Sequence, residues 1–247
     1  MELTELRKRA EDLAARCERS GSVTVTGFLS PAERYELEHR LHCDGCTLVF
    51  RGGAEDCERT MGFFLPDWME AEALELSEYI RAVKLTAHFG TPTHRDYMGA
   101  LLAMGIGREW LGDIRVDGDG AYILCRSSVA QHLSGIERVG RVSVTAEEIP
   151  LTELPARKIE INEKSFSVMS MRLDAVAAGM FDMSRTECAR QITAGSVNLN
   201  YSVCLRTDAP IREGDIISVR GAGKGKVSGT GGTSRKGRLF VHAEIYK

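Results

Sequence analysis

The stretch Met171–Asn200, MRLDAVAAGMFDMSRTECARQITAGSVNLN, constrains the chain more than any other. Leu173, Val176, Ala177 and Met180 fall at i, i+3, i+4 and i+7, one apolar face of a two-turn helix ending near Gly179. Ser184 reads as the N-cap of a second helix, and Glu187 stands at the capping-box position. Cys188, Ala189 and Ile192 form the buried stripe of that helix. Gly195 stands where a left-handed residue past the helix end is wanted. Val197, Leu199, Val203 and Leu205 then alternate as strand residues, with Asn200-Tyr201 between them. Glu213-Gly214-Asp215 is a turn before a strand at Ile216–Val219, and Leu239–Ile245 reads as a closing strand. A charged, glycine-broken tail, Arg220–Lys247, completes the unit.

Two further units precede it. Leu3, Leu6, Ala10 and Leu13 recur at helical spacing, and Ser22–Phe28 alternates like a strand. Ser30-Pro31-Ala32-Glu33 starts a helix running to about Leu41, with Ser30 as N-cap, Pro31 at the first position and Glu33 closing a capping box. Thr47–Phe50 is a short strand stopped by Gly52-Gly53, Glu55–Met61 is expected to be helical, and Gly62–Leu65 is strand-like. Next come a strand at Tyr79–Thr86, a helix begun by Thr93-His94-Arg95-Asp96, and a hairpin around Asp117-Gly118-Asp119-Gly120. A helix at Ser127–Leu133 and a strand at Val139–Thr145 follow. The order βαββαβ is ferredoxin-like, an arrangement shared by RNA-binding domains and many enzymes. The aromatic signature with which such sheets stack bases is missing. The expected fold is α+β in three parts: an N-terminal α/β domain at 1–76, a ferredoxin-like domain at 77–150, and a connector plus final domain at 151–247 with its core at about 171–247.

The net charge of −3 hides an asymmetry. From Lys164 onward 13 Lys/Arg face 7 Asp/Glu, a net of +6, which leaves −9 for the preceding residues. Ile216–Ala243 holds Arg220, Lys224, Lys226, Arg235, Lys236 and Arg238 and no acidic residue. Such a bias fits an anionic partner or, equally, a solvated basic loop. No run approaches 18 apolar residues, so no membrane span is expected. The N-terminus lacks the apolar core of a secretory signal, and an odd count of seven cysteines suits reduced thiols in the cytoplasm.

Several spacings imitate known chemistry. His39, His42, Cys43 and Cys46 have zinc-like spacing, with Cys57 as an extra ligand, but a second CxxC is missing, and no metal or cofactor is expected. His94-Arg95-Asp96 spells a kinase tripeptide without the accompanying motifs. Gly221–Lys226 fails the spacing of a phosphate-binding loop.

The series RLDAV, SRTECARQITAGSVNLN and IREGDIISV resembles the RNA-binding domain named after small-subunit ribosomal protein S-four. Tyrosyl-tRNA synthetases, several pseudouridine synthases and heat-shock ribosome-binding proteins share that domain. TLVFRGGAEDCERTMGFFLPDW, THRDYMGALLAMGIGREWLGDIRVDGDGAYILC and GRVSVTAEEI look like the YlmH family, so the resemblance covers most of the chain. It implies a non-enzymatic RNA-binding protein acting on rRNA or tRNA at the ribosome, with some members linked to rescue of stalled large subunits carrying peptidyl-tRNA. The RNA-contacting residues expected from the motif and the basic tail together are Arg172, Ser184, Arg185, Thr186, Arg190, Asn198, Asn200, Arg220, Lys224, Lys226, Arg235, Lys236 and Arg238, with His94 and Arg95 as a candidate secondary contact. Arg185, the first residue after its cap, opposes the helix dipole, and a phosphate bridging its guanidinium and the helix N–H groups would turn that cost into a gain. Arg190 lies about 140° around the helix from Arg185 and ranks lower. Relatives are expected to carry a basic residue near position 187, where this chain has Glu187.

Two other readings remain. One is an RNA-modifying enzyme resembling the pseudouridine synthases. Arg172-Leu173-Asp174 imitates their catalytic tripeptide, and Asp96, Asp113 and Asp117 are the carboxylates on offer elsewhere. The other is a protein-interaction scaffold whose platform is the acidic N-terminal part.

Overall fold

The computed structural model describes residues 3–118, 120–157, 161–234 and 237–246, which form two compact units, Met1–Arg157 and Lys158–Lys247. In the first unit, helix α1 (Leu3–Ser20) buries Leu6, Ala10, Ala14 and Cys17 along one stripe. Leu3, expected on that stripe, is exposed. Strand β1 (Thr24–Leu29) leads into α2 (Pro31–Arg40), then β2 (Cys46–Arg51) and β3 (Thr60–Pro66). The α2 capping box forms as expected: Glu33 accepts from the Ser30 N–H at 2.8 Å, and the Glu33 N–H donates to Ser30 Oγ at 3.3 Å. The sheet order is β1-β3-β2, all pairings antiparallel.

Glu55–Met61 is not a helix but a turn leading into β3. The Asp113 carboxylate takes the Glu58 and Arg59 N–H groups at 2.9 Å each, which holds this backbone away from helical pairing.

The same unit continues through β4 (Ile80–Ala87), α3 (His94–Ala103), β5 (Leu111–Asp117), β6 (Gly120–Arg126), α4 (Ser127–Leu133), β7 (Arg138–Val139) and β8 (Val142–Ile149). The order β5-β6-β4-β8-β7 is antiparallel throughout, the split arrangement of a ferredoxin-like unit with a short added strand at one edge. Asp96 closes the start of α3 by accepting from the Thr93 N–H (2.8 Å) and hydroxyl (2.7 Å).

The boundary read from the sequence at 76/77 falls inside this unit, whose two halves share one apolar cluster. Phe28, Met61, Phe63 and Leu65 from the first half pack with Ile80, Ala82 and Leu124 from the second. Polar ties reinforce it. The Arg59 guanidinium donates to the carbonyls of Phe28, Arg108 and Leu111, each at 2.9 Å. Buried Arg115 donates to Asp56 and to the Pro155 carbonyl, both at 2.6 Å, which binds the segment after β8 to this unit.

Two glycines permit the close approach. A Cβ on Gly27 would lie 2.8 Å from the Glu109 carbonyl oxygen, and one on Gly112 would lie 2.7 Å from the Phe28 ring.

The second unit contains β9 (Ile161–Val168), α5 (Leu173–Met180), α6 (Arg185–Thr193), β10 (Val197–Leu199), β11 (Ser202–Val203), β12 (Ile216–Val219), β13 (Gly223–Thr233) and β14 (Leu239–Tyr246). Its sheet has the order β11-β10-β12-β13-β14-β9, with every pair antiparallel. The apolar faces of α5 and α6 pack on one side of it, with Leu173, Val176, Met180, Cys188 and Ile192 against Val197, Ile217, Val219, Val227 and Val241. Asn200 and Tyr201 both have positive φ (48° and 68°), the geometry of a two-residue turn joining β10 to β11.

The glycine-rich segment expected as a loop is instead the strand β13. Its glycines leave room for neighbours: a Cβ on Gly225 would meet Met180 Sδ at 2.6 Å and the Glu244 carbonyl oxygen at 3.0 Å.

Gly112→Ala should destabilise the first unit by about 1–3 kcal/mol through overpacking against Phe28. Gly99→Ala, in α3 with nothing within 4 Å of the added Cβ, should stabilise it by up to about 1 kcal/mol. Thermal or urea unfolding of both variants checks the contrast, and equal shifts would contradict the close-approach account.

Candidate nucleic-acid interface

The two helices of the second unit meet at Asp174. Its residue is 6% exposed, and its carboxylate receives Arg172 Nε at 3.2 Å and Arg185 Nη2 at 2.6 Å. Arg172 is the N-cap of α5 and Arg185 the first residue of α6, so one buried carboxylate gathers the starts of both helices. The two arginine side chains remain 42% and 58% exposed. Burial alone would raise the Asp174 pKa, but hydrogen bonds from Arg172 and Arg185 and their positive charge outweigh it and hold the carboxyl below the usual range.

The helix starts differ in what they leave open. In α5 the N–H groups of Leu173 and Asp174 donate to the carbonyls of Ala209 and Thr207, at 2.9 and 3.0 Å. In α6 the Ser184 hydroxyl takes the Glu187 N–H at 3.1 Å, while the N–H groups of Arg185 and Thr186 lie in the first turn, where a helix supplies no acceptor. The dipole end of α6 thus presents backbone donors beside two exposed guanidiniums, and Asp174 already offsets the unfavourable placement of Arg185.

The second half of the expected capping box is absent. Glu187 turns instead to Arg190 (2.7 and 2.9 Å) and Gln191 (3.1 Å), which push its carboxyl down to about 2. Arg190 is therefore already paired. Asn200 is occupied too: its amide donates to Asp215 at 2.8 Å and accepts the Ile216 N–H at 2.9 Å. Arg238 reaches Ser167, donating to its hydroxyl at 3.0 Å and its carbonyl at 2.5 Å. These three have structural work in the unit.

Lys224 and Lys226, two apart on β13, face away from the helices, because Gly225 and Val227 between and after them are buried. The Lys224 ammonium lies 5.3 Å from the Tyr201 ring and 5.6 Å from the Tyr246 ring, within cation–π range. Sequence reading missed both tyrosines. The only local signal was the turn at Asn200-Tyr201, and Tyr246 reaches Lys224 solely through strand pairing. Asn198 is half-buried on β10, and Arg220 is exposed just past β12. Arg235 and Lys236 lie outside the described residues. His94 and Arg95 are exposed at the start of α3 in the first unit.

Comparison with known proteins bears on both units. Residues 74–153 match a family model described as "Putative RNA-binding domain in YlmH". The chain is 27% identical over 224 residues to "Ribosome-associated protein quality control protein P2" of Bacillus subtilis (strain 168), covering 90% of this chain and 87% of that protein. The chain is YlmH-like. A solved structure titled "Cell division protein ylmH from Streptococcus pneumoniae" superposes with a TM-score of 0.53 at 22% identity, covering 61% of this chain and 92% of that one, a likeness of fold.

In this YlmH-like chain two of the carboxylates offered for catalysis, Asp113 and Asp96, hold structure. Asp113 anchors the Glu58–Arg59 backbone and Asp96 caps α3. His39 Nδ1 lies 3.0 Å from the Tyr35 carbonyl oxygen, and burial pushes the Cys43 thiol up to about 11. Among the described residues no group of three or more His, Cys, Asp or Glu is placed to hold a metal ion. No described helix is long and apolar enough to cross a membrane.

Asp174→Asn should destabilise the second unit by about 1.5–3 kcal/mol, the usual range for charge-assisted hydrogen bonds. Because the folded pKa of Asp174 lies below its unfolded value of about 3.9, its contribution is complete above that pH and is lost as pH falls through the folded value. The stability difference between wild type and variant should therefore be constant from pH 7 to about 5 and shrink below about 4. Urea unfolding across that range tests this, and a difference that grows on acidification would contradict it.

Proposed function

We propose that this chain is a non-enzymatic RNA-binding protein that acts on structured rRNA or tRNA at the ribosome. We further propose that it engages large subunits stalled with peptidyl-tRNA. The observation that carries the reading is the start of α6: two half-exposed guanidiniums tied to one buried carboxylate, beside the Arg185 and Thr186 N–H groups. That set has the charge, donor geometry and rigidity wanted for one or two RNA phosphates. Ser184 belongs to the site as the cap that fixes the α6 start, and Thr186 adds a hydroxyl at its second position. Lys224, Lys226 and Arg220 would follow more of the RNA backbone without reading bases. Asn200, Arg190 and Arg238 leave the proposed contact set because their polar groups are already engaged. The description of the matched domain and the printed name of the Bacillus relative support the partner class.

An enzymatic role for Asp174 finds no support here. A carboxylate buried under two arginines, with its pKa lowered, is poorly disposed to take up a proton.

The full chain with Arg185→Glu should bind structured RNA or isolated large subunits at least about tenfold more weakly at 0.15 M salt, since one anchored phosphate contact becomes a repulsion. Arg185→Gln should lower the slope of log affinity against log salt by about one. Filter-binding titrations at several salt concentrations measure both. Wild-type affinity in Arg185→Glu, or a flat salt response in the unmodified chain, would contradict the reading.

A further inference from the structure

The first unit contains a cleft that none of the above uses. It has a volume of about 570 Å³ and opens between α1, β1, the start of α2 and the turn Arg108–Trp110. That size falls in the range of small-ligand sites.

Four arginines line it, Arg9, Arg59, Arg108 and Arg126, with two glutamates, Glu33 and Glu109. Three of these six charges are engaged. Arg9 pairs with Glu5 at 2.5 Å, Arg59 is held by three backbone carbonyls, and Glu33 receives the Ser30 N–H and hydroxyl at 2.8 Å each. Arg126 is different. It is half-buried at the end of β6, and no carboxylate or hydrogen-bond acceptor among the described residues meets its guanidinium. Its one neighbour of consequence is the Trp110 ring, whose centroid lies 4.8 Å from Cζ. Arg126 lines the cleft and Trp110 does not, so the indole flanks the guanidinium from outside the lining. Burial pushes the Arg126 pKa down, the mark of a cation whose lost hydration nothing nearby replaces.

A half-desolvated guanidinium without a counter-ion is unfavourable, and a bound anion relieves that cost. Inorganic phosphate alone would leave most of the volume empty and the apolar wall of Leu6, Leu13 and Val25 uncovered. A ligand with an anionic end and a flat, largely apolar body, as in a nucleoside phosphate, satisfies both surfaces. We infer that this cleft binds one nucleoside phosphate, with the phosphate on Arg126 and exposed Arg108 and the base against the α1 wall. The nucleotide comes either free from solution or as an unpaired residue of an RNA chain. This site is on the other unit from the α6 start and does not rest on the function proposed above.

The chain has two tryptophans, and Trp68 is 75% exposed, so Trp68→Phe leaves Trp110 as the reporter beside Arg126. The full-length Trp68→Phe protein is titrated with the four nucleoside monophosphates, with a short single-stranded RNA and with inorganic phosphate, following indole emission. Saturable change with the monophosphates identifies a free nucleotide as the source. Change with RNA alone identifies an unpaired nucleotide. In either case Arg126→Gln should weaken the response by about tenfold or more, and Arg108→Gln, at an exposed position, by about threefold. The Arg108 variant keeps the test intact if Arg126→Gln does not fold. The inference is overturned if neither nucleotide nor RNA changes the emission, if phosphate alone saturates as tightly as a nucleotide, or if binding persists unchanged in the folded arginine variants. Loss of RNA binding in Arg185→Glu with the Trp110 response retained separates failure of one site from failure of the other.

Discussion

The carboxylate of Asp174 organises the corner of the second unit where α5 and α6 begin. It is almost wholly buried, and its two guanidinium partners come from residues two and eleven positions away in sequence. A buried carboxylate without such partners would be strongly unfavourable, so Arg172 and Arg185 are drawn to it. The consequence is geometric as much as energetic. Two long, flexible side chains, each with considerable rotamer freedom, are held at the mouths of two helices rather than waving in solvent. With two arginines and one aspartate, the corner keeps a net positive charge. In the proposed contact a phosphate would meet preset donors, with little ordering left for the binding step.

The first unit is held by a different device, a polar seam around an apolar contact. Asp113 and Arg59 both bond backbone groups, and Arg115 does the same at Pro155. Backbone carbonyls are fixed acceptors, so each of these long side chains orders a stretch of chain that would otherwise be loop. The glycines at 27 and 112 complete the arrangement by letting β1 approach the Arg108–Leu111 segment without intervening side chains. Arg59 and Arg126 both line the cleft beside this seam, Arg59 with its guanidinium held by backbone carbonyls and Arg126 with none meeting it among the described residues.

Local signals were legible in the sequence and long-range ones were not. The caps at Ser30, Thr93 and Ser184 could be read because capping depends on residues within one turn of each other. The ferredoxin-like order could be read from alternation and turn residues. Glu55–Met61 misled because its composition suits a helix, while the Asp113 carboxylate that captures its backbone is more than 50 positions on. Gly223–Thr233 misled because glycine usually marks loops, whereas here it marks a strand pressed against Met180 and β14. In the site, Arg172 and Arg185 could be found by motif, but not that Asp174 joins them. Asn200, Arg190 and Arg238 carried the right chemistry for RNA, and only their partners Asp215, Glu187 and Ser167 reveal that it is already in use.

The central claim is that the start of α6 meets RNA directly. It is tested most directly by photo-crosslinking the full chain to ribosomal particles separated on a gradient, followed by mapping of the protein peptides that carry nucleotide adducts. Adducts concentrated between Met171 and Ile192, on peptides containing Arg172, Ser184 or Arg185, are the expected result. Co-sedimentation with adducts confined to other parts of the chain, and none in this stretch, would contradict it.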